Sequence, residues 1–178
     1  MTVAIERRNK ELLGILVDKL REKLHNHYSV TFDEIDVKYD RIYGTREINY
    51  GDFDLVFYSK EIKELFLIEA KFFSDSLTSN GMVTDYEKLF TEDGYYDRCR
   101  RRYDLVLDEP EALKSFVGIE GDVKTHFLFV LSKPLDIELQ DKDRVVTFLC
   151  MSNFDRYLEG KFLDIDNESI VIRPTMTI

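Results

Sequence analysis

Two apolar runs joined by a short polar turn, over residues 49–73, constrain the fold of this chain more than any other stretch. The stretch reads NYGDFDLVFYSKEIKELFLIEAKFF, and its apolar runs are typical of two buried β-strands. The turn SKEIKE predicts that these strands are antiparallel neighbours. The runs nevertheless contain Asp52, Asp54, Glu69 and Lys71. Burial of such charges without partners is costly, so their presence needs an explanation.

Alternation along the two strands predicts where these charges lie. Side chains alternate between the faces of a strand, so Glu69 and Lys71 share one face. On the preceding strand, Asp52 and Asp54 share a face, and Phe53 and Leu55 take the opposite one. Both faces of the second strand are apolar before Glu69, which indicates a strand covered on both sides. Closing the hairpin carries the four charged residues to the same level, so three or four charges should converge at one end of a sheet.

The rest of the chain predicts helices and further strands around this hairpin. Leucines at helical spacing predict a helix from about Val3 to Asn26. The polar segment 73–94 predicts a long loop with a short helix. The remaining predicted elements are a strand within 27–44, helices at 95–107, 111–118 and 153–160, and strands at 124–132, 144–152 and 168–174. This order describes one α/β domain over residues 1–178, with a central sheet flanked by helices.

Charge and hydropathy limit the partners and the location of the chain. It has 35 acidic and 25 basic residues, and the formal net charge of −10 argues against non-specific coating of nucleic acid. A local basic face remains compatible with this balance. The N-terminal sequence MTVAIERRNK lacks the apolar segment of a secretory signal. No apolar run approaches the roughly 20 residues of a membrane span, so we expect a soluble cytoplasmic protein with no membrane partner.

A divalent cation would explain the converging charges. Two close carboxylates repel each other, and one lysine offsets only part of that repulsion. Mg²⁺ takes oxygen ligands, typically one or two carboxylates completed by waters and phosphate oxygens. Asp54 and Glu69 suit that role, the Ala70 carbonyl adds an oxygen, and Lys71 lies where it can act on water or on a phosphate. This set predicts metal-assisted phosphodiester hydrolysis, whereas the alternative is ordinary turn and edge-strand charges.

The sequence GDFD, which contains Asp54, followed after a hairpin by IEAK, which contains Glu69 and Lys71, resembles the PD-(D/E)XK nuclease superfamily. That superfamily includes restriction endonuclease-like, Mrr-like and Holliday-junction-resolvase-like enzymes. Its pattern is an Asp that opens one strand and Glu-x-Lys on the next. This chain lacks the Pro that often precedes the Asp. The resemblance implies a restriction endonuclease-like αβββαβ core with a central mixed sheet, catalytic Asp54, Glu69 and Lys71, and a Mg²⁺ or Mn²⁺ cofactor.

The resemblance also implies a further acidic residue on the first helix. Glu11 has the better distance from the following strand, whereas Glu6 lies nearer the apolar face of the helix. We take Glu11 as the candidate, and the alternative that both are solvated charges stays open, as does the role of Asp52.

Basic residues concentrate on the predicted helix at 95–107, in an otherwise acidic chain. Arg98 shares a helical face with Arg101 or Arg102, and tyrosines flank them. Arginine clamps phosphates and aromatic side chains stack on bases. We therefore predict nucleic-acid contacts from Arg98, Arg101, Arg102 and Lys88. The alternative is a solvated basic face paired with neighbouring acidic residues.

The sequence as a whole predicts a Mg²⁺-dependent endonuclease that acts on DNA. Two alternatives stay open, an RNA-directed nuclease and a catalytically inactive member of the fold that serves as a binding or assembly module. A separate DNA-reading module is absent from the sequence pattern. We therefore expect targeting through a homodimer, a partner subunit or a larger nucleic-acid-processing or defence system.

Overall fold

The computed structural model describes residues 2–73, 79–134, 146–161 and 175–178, and of residues 2–6, 79, 80 and 82 it describes the backbone only. The fold is α/β. In chain order the elements are α1 (Thr2–His27), β1 (Phe32–Lys38), α2 (Tyr39–Tyr43), β2 (Asp52–Ser59), β3 (Glu64–Lys71), α3 (Ser79–Phe90), α4 (Tyr95–Asp108), α5 (Pro110–Val117), β4 (Lys124–Leu131), β5 (Thr147–Cys150), α6 (Phe154–Leu158) and β6 (Met176–Thr177).

The described strands form one mixed, open, six-stranded sheet in the order β1-β2-β3-β4-β5, with β6 paired to the start of β4. β1, β2 and β3 are antiparallel neighbours, which confirms the predicted hairpin. β3 pairs with β4 and β4 pairs with β5 in parallel. A parallel pair needs a crossover connection, and α3, α4 and α5 lie in the connection between β3 and β4.

Helices cover both faces of the sheet. One buried cluster joins α1 and α6 to the sheet and includes Leu20, Phe66 and Tyr157. The other joins α2, α4 and α5 to the opposite face and includes Tyr103 and Phe127. A strand between two helical layers must be apolar on both sides. This arrangement confirms the prediction that β3, the second strand of the hairpin, is covered on both of its faces.

α1 is the 26-residue helix predicted from its leucine spacing. Leu16, Leu20 and Leu24, four residues apart, form its buried stripe on the sheet. Over residues 7–27, the exposed positions of α1 are polar except for Gly14 and Ile15. Neither α1 nor any other helix of the described residues is long and apolar enough to cross a membrane.

Two segments differ from the sequence-based expectation. Residues 79–90 form the 12-residue helix α3, whereas a long loop with a short helix was predicted from the polar composition. Leu89 and Asp85 of this helix are buried, so tertiary packing outweighs the weak local helix preference. Residues 39–43 form the short helix α2 instead of continuing β1. The predicted strand at 168–174 lies outside the described residues.

Strict alternation fails where β1 and β2 approach the charged end of the hairpin. Asp36 adopts a left-handed conformation, with φ of 52°. The β1–β2 pairing continues on both sides of it, from Ile35 with Leu55 to Val37 with Phe53. Beyond Asp36, both Val37 and Phe53 pack in the cluster on the α4 side, while Leu55 packs with α1. The prediction that Phe53 and Leu55 share a face was therefore wrong, and the change of face in β2 lies opposite Asp36 of the paired strand.

Candidate active site

The predicted metal ligands meet where β2 begins and β3 ends. Asp54 Oδ2 accepts a hydrogen bond from the backbone N–H of Ala70 at 2.6 Å. Lys71 Nζ lies 3.5 Å from the same Asp54 oxygen and donates to the Ala70 carbonyl at 3.0 Å. Lys71 also forms an ion pair with Glu69 Oε1. Three oxygens, two from carboxylates and one from a carbonyl, therefore converge on a single ammonium group.

These charges lie below the protein surface. The exposed fractions of the side chains are 14% for Asp54, 8% for Glu69 and 15% for Lys71. The ammonium of Lys71 lies 5.0 Å from the ring centroid of Tyr95, at the start of α4. Charges shielded from water interact more strongly than exposed ones. The cluster is thus a preorganised electrostatic site rather than a group of solvated surface charges.

Arg102 of α4 is a partner of Glu69. Its side chain is 2% exposed and forms an ion pair with Glu69 Oε2. It also donates to the backbone carbonyl of Tyr50 at 2.7 Å and lies 4.9 Å from the ring centroid of Phe53. Each carboxylate oxygen of Glu69 therefore has its own cation, Lys71 at Oε1 and Arg102 at Oε2.

Gly51 makes room for this arginine. Its φ is 72°, a conformation that favours glycine, and an added Cβ would lie 2.8 Å from Arg102 Nη1. The backbone conformation of Gly51 and its closeness to Arg102 therefore explain why the GDFD motif begins with a glycine. Any side chain at this position would push against the guanidinium that holds Glu69.

Arg102 was predicted to bind phosphate with Arg98 and Arg101, but its side chain lies in the core. A signal for burial was present in the sequence. Cys99, Tyr103 and Val106 follow helical spacing and form the buried face of α4, and Arg102 lies on that same face. An arginine on a buried helical face requires a carboxylate partner. That rule points to Glu69, the buried acidic residue of the neighbouring strand.

Burial dominates the electrostatics of Asp54. It raises the pKa of Asp54 from its ordinary 3.8 to about 6, aided by the nearby charge of Glu69 and opposed by Lys71, the Ala70 N–H and Arg102. A carboxylate with a raised pKa is poorly compensated in its ionised form. Asp54 therefore needs an additional cation more than Glu69 does.

The raised pKa predicts how stability without metal depends on pH. The folded state binds a proton on Asp54 more tightly than the unfolded state, so the free energy of unfolding falls as pH rises from 3.8 to about 6. Asp54→Asn removes this loss. We expect its melting temperature in EDTA to exceed that of the wild type above pH 6, with the difference vanishing below pH 4. The exposed-loop variant Asp122→Asn serves as the baseline, and an Asp54→Asn protein less stable than wild type at pH 8 would contradict this assignment.

For Glu69 and Lys71, in contrast to Asp54, the charges of the neighbours outweigh the effect of burial on the pKa. Burial acts to raise the pKa of Glu69, but the charges of Lys71 and Arg102 outweigh it and hold that pKa below its ordinary value. Burial acts to lower the pKa of Lys71, but Glu69 and Asp54 outweigh it and raise that pKa. Lys71 is therefore protonated at neutral pH and acts as the cation of the site when no metal is bound.

A cleft of about 320 Å³ opens above Lys71. Lys88, one of the predicted nucleic-acid contacts, lines this cleft. The lining residues are Asn9, Lys10, Leu13, Lys71, Phe72, Phe73, Asp85, Lys88 and Tyr95. Glu11 is not brought to the site, since its side chain is 61% exposed and pairs with Arg7 at 3.1 Å on the outer face of α1. The side chain of Glu6 lies outside the described residues.

Arg98 and Arg101 line a second groove of about 430 Å³, together with Ile48, Asn49 and Asp93. Arg101 pairs with Asp93 at 2.6 Å, and the guanidinium of Arg98 lies 5.4 Å from the Tyr95 ring centroid. The Nε atoms of both arginines are buried without a hydrogen-bond partner in the described part of the chain. Two of the three predicted arginines therefore share one groove on the surface, and Arg102 does not.

A second polar cluster lies at the opposite end of β3 and β4. The ring of His126 is fully buried, with Nε2 at 2.8 Å from Glu64 and Nδ1 at 2.7 Å from the Tyr157 hydroxyl. It stacks on Phe66 with ring centroids 4.2 Å apart. These contacts pin α6 to the sheet, so this cluster serves the fold.

No family model, curated protein or solved structure matches this chain. Within the described ranges, no group of three or more His, Cys, Asp or Glu side chains is arranged to hold a metal ion. The oxygen donors at the hairpin are the carboxylates of Asp54 and Glu69 and the backbone carbonyl of Ala70.

Proposed function

We propose that the protein is a Mg²⁺-dependent nuclease of the PD-(D/E)XK type that hydrolyses phosphodiester bonds in DNA. The observation that carries this proposal is the convergence of Asp54, Glu69 and the Ala70 carbonyl on one cationic centre. In the metal-free protein that centre is the ammonium of Lys71. A site built to attract a cation at this point also suits a divalent metal.

The chemistry of the donor set fits Mg²⁺ or Mn²⁺. Both ions prefer oxygen ligands, and Mg²⁺ is usually held by one or two carboxylates, with waters and substrate phosphate completing the shell. Asp54 has the stronger need for a cation, because its pKa is raised to about 6, mainly by burial. Asp54, Glu69 and the Ala70 carbonyl would hold the ion, with the carboxylate of Glu69 oriented by Arg102 from behind.

The bound metal would supply Lewis-acid activation of water and of the scissile phosphate. Lys71 is the residue of this chain that completes the chemistry. Its ammonium lies at the same point as the oxygens and is charged at neutral pH, so it can stabilise the negative charge that develops on the phosphate. Arg102 keeps Glu69 ionised and fixed in place. Lys88 lines the approach to Lys71 and suits a contact with the phosphate backbone.

The order of elements also supports the proposal. With the short helix α2 and the crossover helices α3 and α5 left out, the helix, three antiparallel strands, crossover helix and parallel strand follow each other as α1-β1-β2-β3-α4-β4. The restriction endonuclease-like core has the same succession. The site lies on the second and third strands of this succession, where that family carries its acidic residues and lysine.

One observation favours a second candidate function. Both oxygens of Glu69 are neutralised by Lys71 and Arg102, so its charge is satisfied without a metal. This is the arrangement expected of a catalytically inactive member of the fold that serves as a binding or assembly module. Metal binding separates the two candidates, since the inactive module has no need of a divalent ion.

We expect Mg²⁺ and Mn²⁺ to bind and to raise the melting temperature by mass action. At ten times the dissociation constant, the gain in free energy of unfolding is about 1.4 kcal/mol. Asp54→Asn should abolish the heat of binding in calorimetry and the shift in melting temperature. Asp52→Asn is the matched control, because Asp52 is the neighbouring exposed aspartate of β2 and makes no ion pair with Lys71.

Calorimetry of the wild type with millimolar Mn²⁺ decides this test. Binding that survives in Asp52→Asn and is lost in Asp54→Asn supports the nuclease site. Equal binding in the wild type and in Asp54→Asn would place the metal elsewhere. Absence of binding, both alone and with a DNA oligonucleotide present, would favour the inactive module.

A further inference from the structure

The cleft above Lys71 has a charge that differs from that of the chain as a whole. Lys10 of α1 and Lys88 of α3 line it, and these helices pack on opposite faces of the sheet, α1 through Leu16 and α3 through Leu89. Neither lysine has an ion pair within the described residues. Asp85, the carboxylate that lines the cleft with them, is already paired with Lys133 at 2.9 Å. Since Lys71 is itself paired with Asp54 and Glu69, Lys10 and Lys88 make the cleft locally cationic in a chain of net charge −10, which favours an anionic ligand.

The size of the cleft limits what can enter. About 320 Å³ lies at the lower end of the range of small-molecule sites, roughly 300–1,000 Å³. Lys71 lines the cleft, and its partners Asp54 and Glu69 lie below the surface, with side chains 14% and 8% exposed. A DNA duplex is stiff, with a persistence length of about 150 base pairs, and cannot bring a backbone phosphate down to these groups without deformation. A single strand is flexible and can enter one nucleotide at a time.

The walls also have the two features of a single-strand site. Such sites combine a positively charged groove that follows the backbone with aromatic side chains beside the bases. Lys10 and Lys88 provide the positive charge, and Tyr95 lines the cleft as its aromatic wall. Leu13 and Phe73 add apolar surface.

We infer that this cleft takes a single strand of DNA, with Lys10 and Lys88 binding backbone phosphates that flank the one presented to Lys71. Tyr95 lies beside a base of the same strand. The inference rests on the proposed nuclease function and names its substrate as a single strand, or the unpaired end of a duplex. Lys10 and Lys88 are binding residues, and neither touches the reacting atoms.

The test measures binding separately from cleavage. Fluorescence anisotropy in EDTA compares an oligothymidine, a blunt duplex of the same length and an RNA of the same length, at several salt concentrations. We expect the oligothymidine to bind about tenfold more tightly than the duplex. Lys10→Gln/Lys88→Gln should weaken this binding and reduce the log–log salt slope by about 1.4, since each single-strand phosphate contact contributes about 0.7.

The control is Lys60→Gln/Lys63→Gln, which removes the same charge from exposed positions at the β2–β3 turn, the far end of the two strands from Lys71. Single-strand preference, with a reduced slope in the cleft variant and not in the control, supports the inference. Tighter duplex or RNA binding, or equal slopes in the two variants, overturns it. If the duplex is then cleaved with Mg²⁺ and Lys71→Met abolishes the cleavage, the nuclease function stands without the single-strand cleft. If no nucleic acid binds and none is cleaved, both proposals fail.

Discussion

Lys71→Met is expected to lower metal-dependent cleavage at least 10²–10³-fold while the protein stays folded and binds Mn²⁺. Loss of a group that stabilises developing charge in a transition state typically has this effect. The oxygens of Asp54, Glu69 and Ala70 remain in the variant, and the ammonium that occupies their common point is gone. Mn²⁺ affinity should therefore be equal to or higher than that of the wild type. Arg102 still pairs with Glu69, which limits the loss of stability.

The assay uses supercoiled plasmid, linear duplex, branched DNA, single-stranded DNA and single-stranded RNA, each with Mg²⁺ and with Mn²⁺. Lys60→Met, an exposed substitution at the β2–β3 turn, should cleave like the wild type and controls for the preparation. Equal cleavage by wild type and Lys71→Met would mean that the activity belongs to a contaminant or to another site. A wild type that cleaves none of these substrates would favour the inactive module.

Arg102→Met is expected to lower the free energy of unfolding by about 3 kcal/mol, because it leaves one side of a buried carboxylate without its cation. For a chain of this size, that loss lowers the melting temperature by about 6–12 °C. Arg98→Met is the matched control on the same helix, since Arg98 contacts the Tyr95 ring and makes no ion pair within the described residues. We expect its effect to stay within about 0.5 kcal/mol.

A double-mutant cycle with Glu69→Gln assigns the loss to the pair. If Arg102 acts through Glu69, the double variant should be more stable than the sum of the two single losses predicts, by about 1 kcal/mol or more. Chemical denaturation of the four proteins at neutral pH measures this coupling. A loss in Arg102→Met no larger than in Arg98→Met, or additive single losses, would show that the guanidinium contributes little to holding Glu69.

Local periodicity was sufficient to predict the hairpin, the common face of Glu69 and Lys71 and the helix α1. The direction of the side chains repeats every two residues in a strand and every 3.6 residues in a helix. A short polar turn leaves the two strands that it joins few ways to pair. The convergence of Asp54, Glu69 and Lys71 follows from these rules alone. The roles of these residues in catalysis and metal binding remain proposals.

The facing of Glu11 could also have been read from periodicity. The apolar stripe of α1, continued from Leu16 and Leu13 towards the N-terminus, reaches Asn9 and Lys10, the residues that line the cleft. Glu11 lies off this stripe and points outward to Arg7. Distance from the following strand was the weaker criterion, because the rotation of a helix is set by the apolar residues it buries.

By itself the sequence determined the elements whose pattern repeats over many residues, and with them the placement of two carboxylates and a lysine on neighbouring strands. Tertiary structure alone decided the contacts between elements distant in the chain. The ion pair of Arg102 with Glu69 exists because α4 packs over β3, although the two residues are 33 positions apart in the chain. Phe53 packs on the α4 side together with Val37 of the paired strand, against the strict alternation of β2, and packing made α3 a helix despite its polar composition. In each case the stabilising contacts come from residues distant in the chain. A pattern that repeats every two or 3.6 residues contains no information about such contacts, so it could not reveal them.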